Sequence, residues 1–222
     1  MGYEVVASPD AEIRLYHGSD RIVERPAHGT GMPSNDYGLG FYMSPYFEMA
    51  AEWAVPQDDL DGYVNAYTLD TRGLRQLDMD KEPFEHWISV LIQNRGGRFS
   101  DAINEGMKAF VKLFPFSVEG YDMIKGWRAD DAYFGFVRDF FVSALSLENL
   151  RTAMKLGDLG TQYCILSRKA FTALEFVPPA ERVLAGRYHS LRRARDDSAR
   201  TAYRTMPNKR RGTLLLDMIG RD

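Results

Sequence analysis

Cysteine is almost absent from this chain. A single thiol in 222 residues excludes an internal disulfide framework and the paired thiolates of a structural zinc site. No apolar run approaches the length of a membrane span, and the opening MGYEVVASPDAEIR lacks the basic start and apolar stretch of a secretory signal. The expected setting is therefore a reducing, cytoplasmic one, with no membrane partner. Familiar catalytic punctuation is missing as well. There is no G-x-S-x-G elbow, no Gly-Lys-Ser/Thr phosphate loop and no H-E-x-x-H. His17, His28, His86 and His189 are too scattered for a metal box, so no metal is expected. Gly38-Leu39-Gly40 has no third glycine and precedes a strand-like run, which excludes a Rossmann-type dinucleotide fingerprint. No internal repeat or flexible linker divides the chain.

What is present is core material and an uneven charge. Hydrophobic residues make up 45% and aromatics 13%, enough to exclude wholesale disorder. The net charge of −3 hides a polarity: residues 180–222 carry 11 Lys and Arg against 5 Asp and Glu, and the preceding residues are acidic. Such a tail suits a polyanion or an acidic partner such as an antitoxin, or it docks on the acidic body as a solvated helix face. Tyr188 and Tyr203 between the cations suggest stacking contacts to nucleic acid, although no nucleic-acid motif accompanies them.

The pattern predicts an α+β fold with a strand-rich start. Ile13 to His17 alternates apolar and polar and stops at Gly18-Ser19-Asp20. A loop rich in Gly, Pro and Asn runs from Pro26 to Gly40, long enough to suggest function. Phe41–Met43 and Tyr63–Leu69 read as strands, with Ser44-Pro45 between them as an N-cap and first helical position. Helical stripes follow at Phe84, Trp87, Ile88 and Leu91, at Ile103, Met107, Phe110 and Phe114, and from Asp130-Asp131 through Phe134, Val137, Phe141 and Ala144. Leu147–Leu156 is another expected helix. Strands are expected at Tyr121–Lys125, Gln162–Ser167 and Glu175–Val177, the last closed by two prolines. These elements predict a domain over residues 1–179, a helical insertion at about 83–156, and a basic helical extension over 180–222.

Three short motifs carry the chemistry. Tyr16-His17-Gly18-Ser19 closes the first strand, Asp36-Tyr37-Gly38-Leu39-Gly40-Phe41-Tyr42-Met43-Ser44 follows the long loop, and Thr161-Gln162-Tyr163 opens a late strand. In order and context they resemble the motifs of ADP-ribosyltransferases of the His–Tyr–Glu type, the diphtheria-toxin and poly(ADP-ribose) polymerase side of that superfamily. Within it the chain is most similar to the bacterial DUF3990 family, on Ala51-Glu52-Trp53-Ala54, Asn94-Arg95, and Tyr121-Asp122 leading to Ala129-Asp130-Asp131. The resemblance spans about Leu15 to Phe176 and implies a split, antiparallel-rich β core. It also implies NAD⁺ as substrate, transfer of ADP-ribose to a protein or nucleic acid, and a role such as toxin or anti-phage factor.

The resemblance further implies residue roles. The Gly18 main chain holds the nicotinamide carboxamide, with Ser19 beside it. His17 bonds a ribose hydroxyl, Tyr42 stacks on nicotinamide, and Tyr37 is a second aromatic near that slot. His17, Tyr42 and Gln162 are expected to converge on one cleft. The departure is at Gln162, where related enzymes carry glutamate. Glutamine can accept a hydrogen bond but brings no charge and no general base. Three consequences follow from the sequence: an acceptor that needs no base, a charge supplied by Asp130 or Asp131, or a catalytically weak domain that binds NAD⁺ or ADP-ribosylated partners. The same reasoning expects Gln162→Glu to keep or raise NAD⁺ cleavage.

Overall fold

The computed structural model describes residues 11–95, 99–129, 131–157 and 160–220, the side chains of residues 131 and 132 excepted. In chain order the elements begin with β1 (Glu12–Ser19), β2 (Phe41–Met43), α1 (Phe47–Ala54), β3 (Gly62–Asp70), β4 (Gln76–Asp78), α2 (Phe84–Arg95) and α3 (Asp101–Leu113). They continue with β5 (Met123–Trp127), α4 (Asp131–Phe141), α5 (Leu147–Ala153), β6 (Thr161–Ile165), α6 (Arg168–Thr172), β7 (Leu174–Val183), α7 (Ala185–Thr205) and α8 (Leu215–Ile219). The fold is α+β, and among the described residues it is split into two sheets. One runs β1-β3-β7 and is antiparallel. The other runs β2-β6-β5-β4 and is antiparallel except where β4 meets β5.

Alternation along the strands builds the core between the sheets. Leu15 of β1, Met43 of β2, Tyr67 and Leu69 of β3, Met123 of β5 and Ile165 of β6 pack in one buried cluster. Each such side chain contributes about 1.5–3 kcal/mol on burial. Outside the second sheet a larger cluster joins Trp87, Leu91, Phe110, Tyr133 and Phe140 from α2, α3 and α4. β5 is an interior strand of that sheet, so residues 83–156 are not a separable helical insertion.

The sheets meet at Tyr16 and Ser44, whose backbones exchange two hydrogen bonds of 2.8 Å. Ser44 is thus a junction residue rather than the expected N-cap. Its Oγ accepts from the Tyr46 amide, and α1 starts only at Phe47. Gly18 lets α1 sit on the end of β1: a Cβ there would lie 1.8 Å from the Ala50 carbonyl oxygen.

Two expectations about the C-terminal part fail. The prolines do not end the last strand. β7 runs through Pro178 and Pro179 to Val183, because it is an edge strand and the register with β3 shifts between Val64 and Ala66, where missing N–H groups cost least. The boundary at 179 therefore falls inside β7. Tyr188 and Tyr203 are buried, with Tyr203 stacked on Phe136 and bonded to Asp139, so neither offers a stacking face. α7 lies on the body and pairs Arg195 with the buried Glu52 of α1. No helix among the described residues is long and apolar enough to cross a membrane.

Candidate functional site

His17 stands near the end of β1, where β1 and β2 begin to separate. Its Nδ1 lies 2.8 Å from the Tyr42 carbonyl oxygen. A carbonyl only accepts, so Nδ1 carries the proton and Nε2 of the neutral ring is an acceptor. Burial pushes the His17 pKa down, against the raising effect of that bond. The ring rests on Phe41, centroids 4.2 Å apart. Gly18 follows. Since Tyr16 directs its N–H and C=O toward Ser44, alternation sends those of Gly18 to the same side, away from β3. Ser19 serves the turn: its Oγ donates to the Arg21 carbonyl and accepts from Asn65. Asn65, unmarked by any sequence motif, also binds the main chain of Val23 and organises the loop after β1.

Tyr42 points to the other face of β2 from Phe41. Its hydroxyl donates to the Gly38 carbonyl at 2.7 Å and accepts from the Tyr37 amide at 3.0 Å. Burial raises its pKa far above the ordinary phenol value, so it is a ring and a donor, not a base. Gly38 makes the turn possible with φ of +79°. Tyr37 is a core residue. Its hydroxyl donates to the Trp127 carbonyl and accepts from the Trp87 indole, so its ring is held within the body.

Gln162 is 3% exposed and meets the same loop. Its Nε2 donates to Asp36 Oδ2 at 2.7 Å and to the Trp127 carbonyl at 3.0 Å. Both partners are acceptors, which fixes the amide and leaves Oε1 without a protein donor among the described residues. Asp36 is the hub of this network. Its Oδ2 also accepts from the Ala129 amide at 2.8 Å, and its Oδ1 accepts from Arg95 at 3.0 Å. Burial raises the Asp36 pKa, opposed first by the Ala129 amide and then by Arg95 and Gln162. Every neighbour donates, so the carboxylate acts as acceptor. Asn94 holds the Asp36 main-chain carbonyl, and Arg95 also bonds the Ala129 carbonyl. Asn94-Arg95 therefore grips the loop rather than merely ending a helix.

The structure thus gathers Tyr42 and Gln162 around residues 36–38. It ties His17 to Tyr42 through the main chain, with the two rings on opposite faces of β2. The three side chains flank the β1–β2 junction rather than sharing one point. An open groove of about 320 Å³ lies alongside, lined by Asp80, Trp127, Arg128, Met154, Lys155 and Thr161, the residue before Gln162. The Arg128 guanidinium sits 4.0 Å above the Trp53 ring. Asp130 and the Asp131 side chain, the sequence candidates for a supplied charge, lie outside the described residues. Asp36 was missed because an Asp before an aromatic and glycine reads as a turn former.

A family model described as "Protein of unknown function (DUF3990)" matches residues 13–176. No curated protein and no solved structure matches the chain.

Proposed function

The chain belongs to the DUF3990 family, and from that premise and the site geometry we propose that it is an ADP-ribosyltransferase acting on NAD⁺. The nicotinamide–ribose bond breaks with its electron pair going to the nicotinamide nitrogen. The resulting oxocarbenium-like carbon is captured by a nucleophile of a macromolecule, which gives up its proton. The observation that carries this reading is the β1–β2 junction. There the Gly18 main chain offers a donor and an acceptor on one side, complementary to a carboxamide, next to an imidazole whose free Nε2 accepts. An extended dinucleotide meets groups on both faces of β2, with nicotinamide toward Tyr42 and Gly18 and a ribose hydroxyl toward His17. Gln162 Oε1 receives a hydroxyl of the reacting ribose. The groove beside Gln162 is open to an acceptor, and the exposed Arg193, Arg200 and Arg204 of α7 suit a polyanionic one.

A second reading, a binding domain for NAD⁺ or ADP-ribose without transfer, is favoured by one observation, the neutrality and deep burial of Gln162. Incubation with labelled NAD⁺ and a cell lysate, followed by nuclease or protease digestion, separates the two. Label lost on one digestion establishes transfer and the acceptor class. Binding without label or released nicotinamide establishes the second reading.

A further inference from the structure

We infer that Asp36 supplies, through Gln162, the negative charge that position 162 itself lacks, so that the two side chains act as one acceptor toward the reacting sugar. This rests on the transferase reading above and names the positioning residue behind its third motif. The geometry is specific. Asp36 divides its two oxygens, Oδ1 to the Arg95 guanidinium and Oδ2 to Gln162 and the Ala129 amide. Gln162 Nε2 is held by two acceptors, Asp36 and the Trp127 carbonyl. An amide that donates to a carboxylate is polarised so that its oxygen becomes the stronger acceptor, and linked hydrogen bonds strengthen one another in a low-dielectric interior. Oε1 then faces the ribose with partial negative charge relayed from Asp36. Burial favours this arrangement, because among the described residues each group that meets the Asp36 carboxylate, the Arg95 guanidinium, the Ala129 amide and the Gln162 amide, is a donor.

The test moves the carboxylate between the two positions. Asp36→Asn removes the charge, and Asp36→Asn/Gln162→Glu restores it at the other end of the same contact. Nicotinamide release from NAD⁺ is measured for each, with kcat and KM separated and urea stability followed in parallel. The expected result is a fall in kcat of at least about tenfold in Asp36→Asn with KM changed by less than about threefold, as for loss of a preorganised electrostatic group. The double variant should regain most of the lost turnover, because the carboxylate introduced at position 162 can accept from the amide introduced at position 36. It falls short of full recovery because the Ala129 amide loses its acceptor and the Trp127 carbonyl keeps only the Tyr37 donor. Should Asp36→Asn not fold, the double variant carries the test alone: turnover near wild type supports the relay, and absence of turnover in the folded protein overturns it. Unchanged kcat in folded Asp36→Asn, or no rescue in the double variant, overturns the relay while leaving the transferase reading intact. A wild-type protein that releases no nicotinamide overturns the transferase reading, and this role with it.

Discussion

Replacing Gln162 by glutamate puts a second carboxylate where an amide nitrogen now lies 2.7 Å from Asp36 Oδ2 and 3.0 Å from the Trp127 carbonyl oxygen. Both contacts turn from attractive to repulsive. Two unit charges about 3 Å apart repel by about 5 kcal/mol at an effective dielectric of about 20. The pair has a cheaper route, which is to keep one proton between its two carboxyls. Holding a carboxyl of ordinary pKa near 4.3 protonated at pH 7 costs about 1.4 kcal/mol for each pH unit, or about 3.7 kcal/mol in all. The smaller cost governs, so Gln162→Glu should lose about 3–4 kcal/mol at pH 7 and about 1 kcal/mol at pH 5. The sign follows from linkage: the folded pKa is raised above the unfolded one, so the folded state binds the extra proton and stability falls as pH rises between them. Urea unfolding of wild type and variant at both pH values measures this. A difference that is small or does not change with pH refutes the contact between positions 36 and 162. NAD⁺ cleavage in this variant should not exceed wild type, because the shared proton leaves the pair with the same single charge. This narrows the expectation from sequence, that cleavage is kept or raised, to cleavage no higher than wild type.

Three further outcomes follow from single contacts. Gly18→Ala drives a methyl into the Ala50 carbonyl and to 2.7 Å from the Ala54 amide nitrogen; backbone cannot give way cheaply, so thermal or urea unfolding should show a loss of about 3 kcal/mol, and a loss under about 1 kcal/mol would show that α1 docks elsewhere. Arg195→Ala strands the buried Glu52, which now accepts from Nη2 at 2.9 Å and Nε at 3.2 Å; urea unfolding should show about 3 kcal/mol lost, partly regained on adding Glu52→Gln, and no regain would argue against the ion pair. His17 has its pKa lowered by burial, so its neutral form stabilises above the unfolded pKa of about 6.5 and that contribution is lost as pH falls through the folded value. The stability gap between wild type and His17→Gln should accordingly shrink from pH 7 to pH 5, and a constant gap would show that the ring is not held neutral.

Strands β1 and β2, one from each sheet, were readable because short alternating runs bounded by turn residues mark them. Ile13, Leu15 and His17 face one way in β1, and Phe41–Met43 fell on β2 to the residue. β4 was not readable. Gln76–Asp78 buries only Leu77 well, and its strand character comes from pairing with β5, which no local pattern encodes. The end of β7 misled for a related reason: prolines forbid a central strand but not an edge, and edge status is a property of the whole sheet. In the tail, Leu184 and Leu191 are exposed while Ala185, Tyr188, Ala199 and Tyr203 are buried. Hydrophobicity alone does not mark the docking face of α7, which is set by the Arg195–Glu52 pair and the room small residues leave.

The site shows why residue-by-residue comparison stalls at its third motif. Position 162 cannot be judged by whether it holds glutamate, because what burial constrains is the number of charges in the contact. Around Gln162 the donors are its own Nε2, the Ala129 amide, the Arg95 guanidinium and the Tyr37 hydroxyl; the acceptors are Asp36 and the Trp127 carbonyl. Each of these donors meets an acceptor, and among the described residues the Asp36 carboxylate faces the Arg95 guanidinium. A glutamate side chain at position 162 would take one donor from the Trp127 carbonyl and could stay beside Asp36 only by holding a proton that costs stability at pH 7. Glutamine here is therefore dictated by Asp36, just as Asp36 is tolerated because of Arg95. The three positions form one unit spread over 126 residues of separation between 36 and 162, and substitutions within it should be compensated inside the unit or not at all.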